Sequence, residues 1–164
     1  MARYVAAVAG WTPTATADGS QLTASGYHAL RSAAATGIVA IEEIGVQGLV
    51  TATALNINAL RRHTTNATTP TNRVPALVNP LGVVSVFQGF ITASTNPTVA
   101  AVATIQHVLE LGINAYGGIF RWVAPGPESA IQIVATAANN AEISICPVGT
   151  GASAQSSYFV CSEL

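Results

Sequence analysis

The sequence predicts an all-β fold, an antiparallel β-sandwich or jelly roll of about eight to ten short strands with a long extended loop. Three observations carry the prediction. Runs rich in β-branched residues recur along the chain, Gly, Pro, Asn and Ser punctuate them, and strands nowhere alternate with long helical patterns. At 164 residues the chain reads as one domain, 1–164, long enough to bury a core.

The first run, Arg3 to Val8, reads as a strand. The segment from Met1 could pass for a weak signal peptide ending near Ala15-Thr16-Ala17, but its apolar stretch is short, and the strand is the preferred reading. Thr12 to Ser20 reads as loop. Ser25 to Gly37 admits two readings, a short helix capped by Ser25 and stopped by Gly37, or a strand through Tyr27 to Ser32. Ile38 to Ile44 is a β-branched strand. Leu49 to Leu60 alternates, with Leu55, Ile57 and Ala59 on one face and Asn56 and Asn58 on the other.

Further strands are expected over Val83 to Thr92 and Thr104 to Ala115, the latter with Ile105, His107, Leu109, Leu111 and Ile113 on one side. Tyr116-Gly117-Gly118 forms a tight turn, since adjacent glycines accept positive φ at little cost, and Ile119 to Val123 returns as the partner strand with Phe120 and Trp122 together. Pro125-Gly126-Pro127 stops it. Ala130 to Thr136, Ile143 to Val148 and Tyr158 to Ser162 complete the set.

Between two of these strands lies the stretch 61–80, which holds Pro70, Pro75 and Pro80 and three of the six arginines, Arg61, Arg62 and Arg73. An extended connection of this length is uncommon in a compact domain unless it has a function. It reads as a projecting assembly arm, with Arg61, Arg62 and Arg73 as its anchors.

Composition points away from a free cytosolic enzyme. Only 8% of residues are charged, against roughly 25% in ordinary domains, and there is no lysine. A neutral skin has little repulsion to keep copies apart, which suits a protein living inside an assembly. The net charge of −1 leaves no electrostatic footprint for nucleic acid. No apolar run approaches the roughly 20 residues that span a bilayer, so no membrane partner is expected.

The search for chemistry yields little. Gly149-Thr150-Gly151-Ala152-Ser153-Ala154 matches a loose dinucleotide-binding pattern, but a strand and not a helix is expected to follow it, so no cofactor is assigned. Asp18 sits in a Gly/Ser turn, and Glu42 and Glu43 are adjacent on a strand, where alternation would point them to opposite faces. An acid pair built from distant segments, such as Glu110 with Glu142, is a minor alternative. His28, His63 and His107 lack metal-ligand spacing, and His107 falls on an apolar face, so no metal site is expected. No catalytic residue is assigned. Asn66-Ala67-Thr68 matches a glycosylation sequon and is read as chance in a Thr/Asn-rich stretch. If the last two strands form a hairpin centred between Ser153 and Ala154, Cys146 and Cys161 stand opposite each other and could form a disulfide; the preferred rival is two small buried thiols.

Several features recur together: Met-Ala-Arg before a short strand, a strand ending in Arg61-Arg62, a Thr/Pro-rich stretch closing with Val78-Asn79-Pro80-Leu81-Gly82, the aromatic strand Phe120-Arg121-Trp122-Val123, the break from Pro125 to Glu128, and the final strand from Tyr158 to Glu163. This layout resembles small jelly-roll virion proteins of tailed bacteriophages that decorate or cement the capsid. The resemblance implies a non-enzymatic structural protein, made in the host cytoplasm and carried on the capsid surface. It would bridge capsomers through contacts with the major capsid protein and with copies of itself in a homo-trimer or homo-dimer. A tail-fibre module binding a receptor or glycan is the alternative, and it would use exposed aromatics among Trp11, Tyr27, Tyr116 and Trp122. A small β-fold hydrolase is the third reading. It requires two acids, or a Ser/His pair, to converge in a cleft.

Overall fold

A computed structural model of the chain describes residues 2–13, 22–32, 37–78, 85, 87–99, 107–134, 141–149 and 151–164. Among them are thirteen strands: β1 (Arg3–Trp11), β2 (His28–Ser32), β3 (Ile38–Gly48), β4 (Leu55–Thr65), β5 (Thr68–Arg73), β6 (Ala76–Leu77), β7 (Phe87–Thr95), β8 (Thr98–Val99), β9 (Leu109–Asn114), β10 (Ile119–Val123), β11 (Ile131–Val134), β12 (Glu142–Pro147) and β13 (Gln155–Glu163). They form two antiparallel sheets, and the all-β sandwich expected from the sequence is what the chain adopts. The first sheet runs β10-β3-β13-β1-β6, with β11 also on β3. The second runs β5-β7-β2-β12-β4-β8, with β9 also on β4.

Side chains alternating inward from both sheets meet in one large core, in which Tyr4, Leu30, Ile41, Leu60, Phe87, Ile143 and Phe159 are fully buried. Each such side chain contributes about 1.5–3 kcal/mol relative to exposure. Tyr4 and Phe87 join the sheets edge to face, with ring centroids 5.4 Å apart. Phe120 and Trp122 pack together against this core, half-buried, as their spacing predicts. Of the two readings of Ser25 to Gly37, the strand is adopted, over His28–Ser32; residues 33–36 lie outside the described set. Residues 83, 84, 86, 104–106, 135 and 136 of other expected strands also lie outside it, Ile105 among them.

Two expectations need correction. First, β10 does not pair with β9. The turn forms, with Gly117 at φ 67°, but it carries the chain from one sheet to the other, and β10 pairs with β3. Second, the described part of the 61–80 stretch is not a projecting loop. β4 continues through Thr65, β5 pairs with β7 on the second sheet, and β6 pairs with β1 on the first. Prolines suit these positions because β5 is an edge strand and its register shifts between Pro70 and Asn72, so a missing N–H breaks no central ladder. Residues 79–84 lie outside the described set.

The alternation expected for β4 places its polar face inward. Asn56 and Asn58 are 1% and 0% exposed, whereas Leu55 and Ile57 are 63% and 40% exposed. A one-residue phase change exchanges every side chain of a strand between core and solvent, so whatever fixes the phase decides both faces. Here Leu60, on the same face and buried in the main core, sets it together with amide groups. Asn56 Nδ2 donates to the Ser153 carbonyl (2.7 Å) and to Gln155 Oε1 (3.0 Å), and Ser153 N–H donates back to Asn56 Oδ1 (3.2 Å). Asn58 Nδ2 donates to Gln155 Oε1 (3.1 Å), and Gln155 Nε2 donates to Asn58 Oδ1 (3.0 Å). The ladder ties β4 of the second sheet to β13 of the first.

A second, smaller core lies on the far side of the second sheet, around Leu22, Tyr27, Ala67, Phe90, Val99 and Cys146. Tyr27 and Phe90 pack edge to face there. This layer explains why β12 is buried on both faces from Glu142 to Cys146.

Candidate functional site

One end of the sandwich is built from the last residues of β3, the start of β4, the β9–β10 turn and the connection from β12 to β13. Backbone bonds knit these pieces together: Gly48 N–H donates to Gly118 O (2.9 Å), Leu49 N–H to Ala154 O (3.0 Å), Val50 N–H to Ala115 O (3.0 Å) and Ala115 N–H to Ala54 O (2.7 Å). Gly151 packs so closely on the Leu55 carbonyl that a Cβ there would overlap it. The segments 44–60, 111–120 and 146–157 contain no charged residue. Leu49, Leu55, Ile57, Tyr116 and Ile119 are all exposed here, five of the eleven large apolar side chains exposed among the described residues. Exposed apolar side chains on an uncharged rim, Leu55 and Ile57 facing out from the second sheet and Ile119 from the first, mark a contact surface more often than a catalytic one.

A second feature lies on the outer face of the first sheet. Arg121 donates to Glu43 through Nε (2.7 Å to Oε1) and Nη2 (2.8 Å to Oε2), and the Tyr158 hydroxyl donates to Glu43 Oε1 at 2.5 Å. The guanidinium of Arg121 and then the Tyr158 hydroxyl hold the Glu43 carboxyl down at about 2. Glu42 binds Arg3 at 2.7 Å. The two glutamates do not follow simple alternation, because Val160 pairs with Glu43 and the next residue, Cys161, with Ile41, leaving Glu42 as the extra residue of a β-bulge. Each carboxylate is engaged by an arginine, and Glu43, held ionised, cannot donate a proton near neutral pH.

The third cluster is sealed. Glu142, fully buried, accepts from His63 Nδ1 (2.7 Å) and from the Ala67 N–H (2.8 Å), with Arg31 Nε at 3.6 Å. Burial lowers the His63 pKa, against the opposing pull of Glu142, so the imidazole is neutral with its proton on Nδ1. Glu110 does not meet Glu142; it is exposed and bound to His107 at 2.6 Å. Among the described residues no group of three or more His, Cys, Asp or Glu is placed to hold a metal ion.

One Ser/His pair does form, His28 Nδ1 with Ser157 Oγ at 2.8 Å, and Trp11 Nε1 donates to the same oxygen at 2.8 Å. All three residues are buried between the sheets. Burial depresses His28 to about 3. A base that weak, without access to substrate, does not activate a serine.

The expected arm anchors are distributed differently from their sequence reading. Arg61 is 4% exposed within β4, Arg62 is half-buried and its Nη2 donates to the Gln132 carbonyl of the first sheet (2.9 Å), and Arg73 is exposed on the edge strand β5. The first two therefore serve the sandwich from within. Cys146 and Cys161 are free, buried thiols. They cannot pair across a hairpin, because β12 belongs to the second sheet and β13 to the first. Burial raises both thiols, Cys146 to about 11. Of the aromatics considered for glycan contact, Trp11 and Tyr27 are buried, Trp122 is half-buried on the core, and Tyr116 is exposed. The glycine-rich stretch from Gly149 lies between β12 and β13 and leads into a strand, as expected; Asp18 and Thr150 lie outside the described residues.

No protein-family model matches the chain, and comparison with curated proteins finds none that matches it.

Proposed function

We propose that this chain is a non-enzymatic structural protein of a bacteriophage particle, decorating or cementing the capsid by binding the major capsid protein and further copies of itself. One observation carries the reading: β4 turns two asparagines into the core and Leu55 and Ile57 outward. Burying an amide pair instead of two aliphatic side chains gives up apolar burial worth several kcal/mol, by the rule of about 1.5–3 kcal/mol per side chain. That arrangement makes sense if the outward pair meets a partner. The scarcity of charge, 8% of residues, supports the same reading, since wide neutral surfaces suit repeated contacts within a shell. The contact surface moves from the 61–80 stretch to the uncharged end, because residues 61–77 are committed to the two sheets.

Quantitative mass spectrometry of purified particles tests the reading. The chain should be present at a copy number comparable to that of the shell protein, and stripping it should lower the temperature at which particles open. Absence from particles, or presence in only a few copies as for a tail component, would contradict it.

A further inference from the structure

Tyr158 lies across the outer face of the first sheet, directly opposite Gly45 in the β13–β3 pairing. Its ring occupies the space that a Cβ at position 45 would fill. The hydroxyl is clamped by Glu43, and Glu43 by the two-pronged contact with Arg121, so the ring is held at both ends. Beside it is a depression of about 230 Å³, lined by Gly45, Val46, Gln47, Ile119, Ser156 and Tyr158. Gln47 and Ser156 are themselves a cross-strand pair. An aromatic and aliphatic wall with a few convergent amide and hydroxyl groups is the composition of a small-ligand site.

The charges at this site narrow the ligand. Arg121 and Glu43 neutralise each other in a bidentate pair, so neither an anion nor a cation finds an uncompensated partner. What remains is a flat apolar wall bordered by neutral donors and acceptors. A ligand matching it needs an apolar face and a rim of hydroxyls. We propose that the depression beside Tyr158 binds a single neutral pyranose ring, whose C–H face rests on the tyrosine while its hydroxyls reach Gln47 and Ser156. Gly45 sets the height of the platform, and the Glu43–Arg121 clasp removes the rotamer freedom that Tyr158 would otherwise lose on binding. The depression borders the uncharged end, since Ile119 lines it and Gln47 and Ser156 lie in its uncharged segments, but the inference rests on the Tyr158 platform and not on the assembly reading, whose own residues are Leu55 and Ile57 of β4.

The test is a titration of the intact protein with methyl β-D-glucopyranoside, methyl β-D-galactopyranoside, methyl α-D-mannopyranoside and methyl N-acetyl-β-D-glucosaminide, followed by amide chemical shifts. At least one glycoside should saturate, with shifts centred on residues 45, 47, 156 and 158. Gln47→Ala, at an exposed side chain, should weaken binding about fivefold without altering the fold, by loss of one hydrogen bond. Gly45→Ala should displace the ring and abolish binding although Tyr158 is still present. Polymer-linked forms of the same sugars would bind more tightly than the free glycoside if a surface glycan is the source, and equally per ring if a free sugar is. No saturable shift with any of the four, or saturable binding unchanged in Gln47→Ala and in a folded Tyr158→Ala variant, would overturn the proposal.

Discussion

Asn58 and Gln155 exchange two hydrogen bonds across the space between the sheets, at 3.1 and 3.0 Å, and so help to fix which face of β4 the solvent sees. Breaking the exchange from one side should be costly. Asn58→Ala leaves buried polar atoms of Gln155 without that partner, and such an orphan costs about 1–3 kcal/mol. The double variant Asn58→Leu/Gln155→Leu removes both members of that exchange, leaves Asn56 Nδ2 its bond to the Ser153 carbonyl, and should unfold at a higher urea concentration than Asn58→Ala. A double variant less stable than Asn58→Ala would mean that the amides are not acting as a pair.

Glu142 is the corresponding polar centre of the second core. Glu142→Gln removes the charge facing Arg31 and weakens the bonds from His63 and Ala67. By the usual worth of hydrogen bonds to a charged group, the loss should be about 1.5–3 kcal/mol. Thermal unfolding checks it, and an unchanged midpoint would contradict the assigned role.

Acid should loosen the fold before the carboxylates titrate. His28 and His63 are buried and their folded-state pKa values are lowered, His28 to about 3, while in the unfolded chain both titrate near 6.5. The unfolded state therefore binds protons that the folded state refuses once the pH drops below about 6.5, and stability falls from there toward the folded values. Each histidine contributes up to about 1.4 kcal/mol per pH unit in that window. Glu43 acts lower down: its pKa is depressed to about 2, so its stabilising pairing is present above its unfolded value near 4.5 and is lost as the pH falls through about 2. Urea midpoints should be flat between about pH 7 and 8, below the range in which the unfolded thiols ionise, and fall already between pH 6.5 and 5. Midpoints constant down to pH 5 would refute the neutral, buried state of both histidines.

The two thiols should be unreactive in the folded protein. Cys146 and Cys161 are buried and burial raises both. A thiol-reactive disulfide reagent should titrate almost no thiol under native conditions and two per chain after unfolding without reductant. Fewer than two after unfolding would point to a bridge.

The sandwich was legible because its signals are local: β-branched runs, Gly and Pro punctuation and the absence of helical periodicity. Leu111 and Ile113 face the core as their alternation implies. What was not legible depended on long-range partners. The alternation of β4 is visible, but whether Asn56 and Asn58 face in or out is settled in part by Gln155, about a hundred residues away in the chain. Likewise, the stretch 61–80 looks like an arm because Pro and Asn are poor strand formers, yet β5 is held by its pairing with β7 on a sheet edge that tolerates them. The bulge at Glu42 and the Tyr158–Glu43–Arg121 clasp have no sequence signature at all; they arise from register. The uncharged end did leave a trace, in the absence of any charge from 44 to 60, 111 to 120 and 146 to 157.

The central claim is that the outward face of β4 meets a partner, and the double variant Leu55→Ser/Ile57→Ser tests it most directly. Both side chains are exposed, so the isolated chain should unfold within about 0.5 kcal/mol per site of the parent. Binding to particles stripped of the chain, measured by co-sedimentation, should weaken at least about tenfold, the loss expected when buried aliphatic contact is removed. A folded variant that binds stripped particles with the parent's affinity would contradict the account.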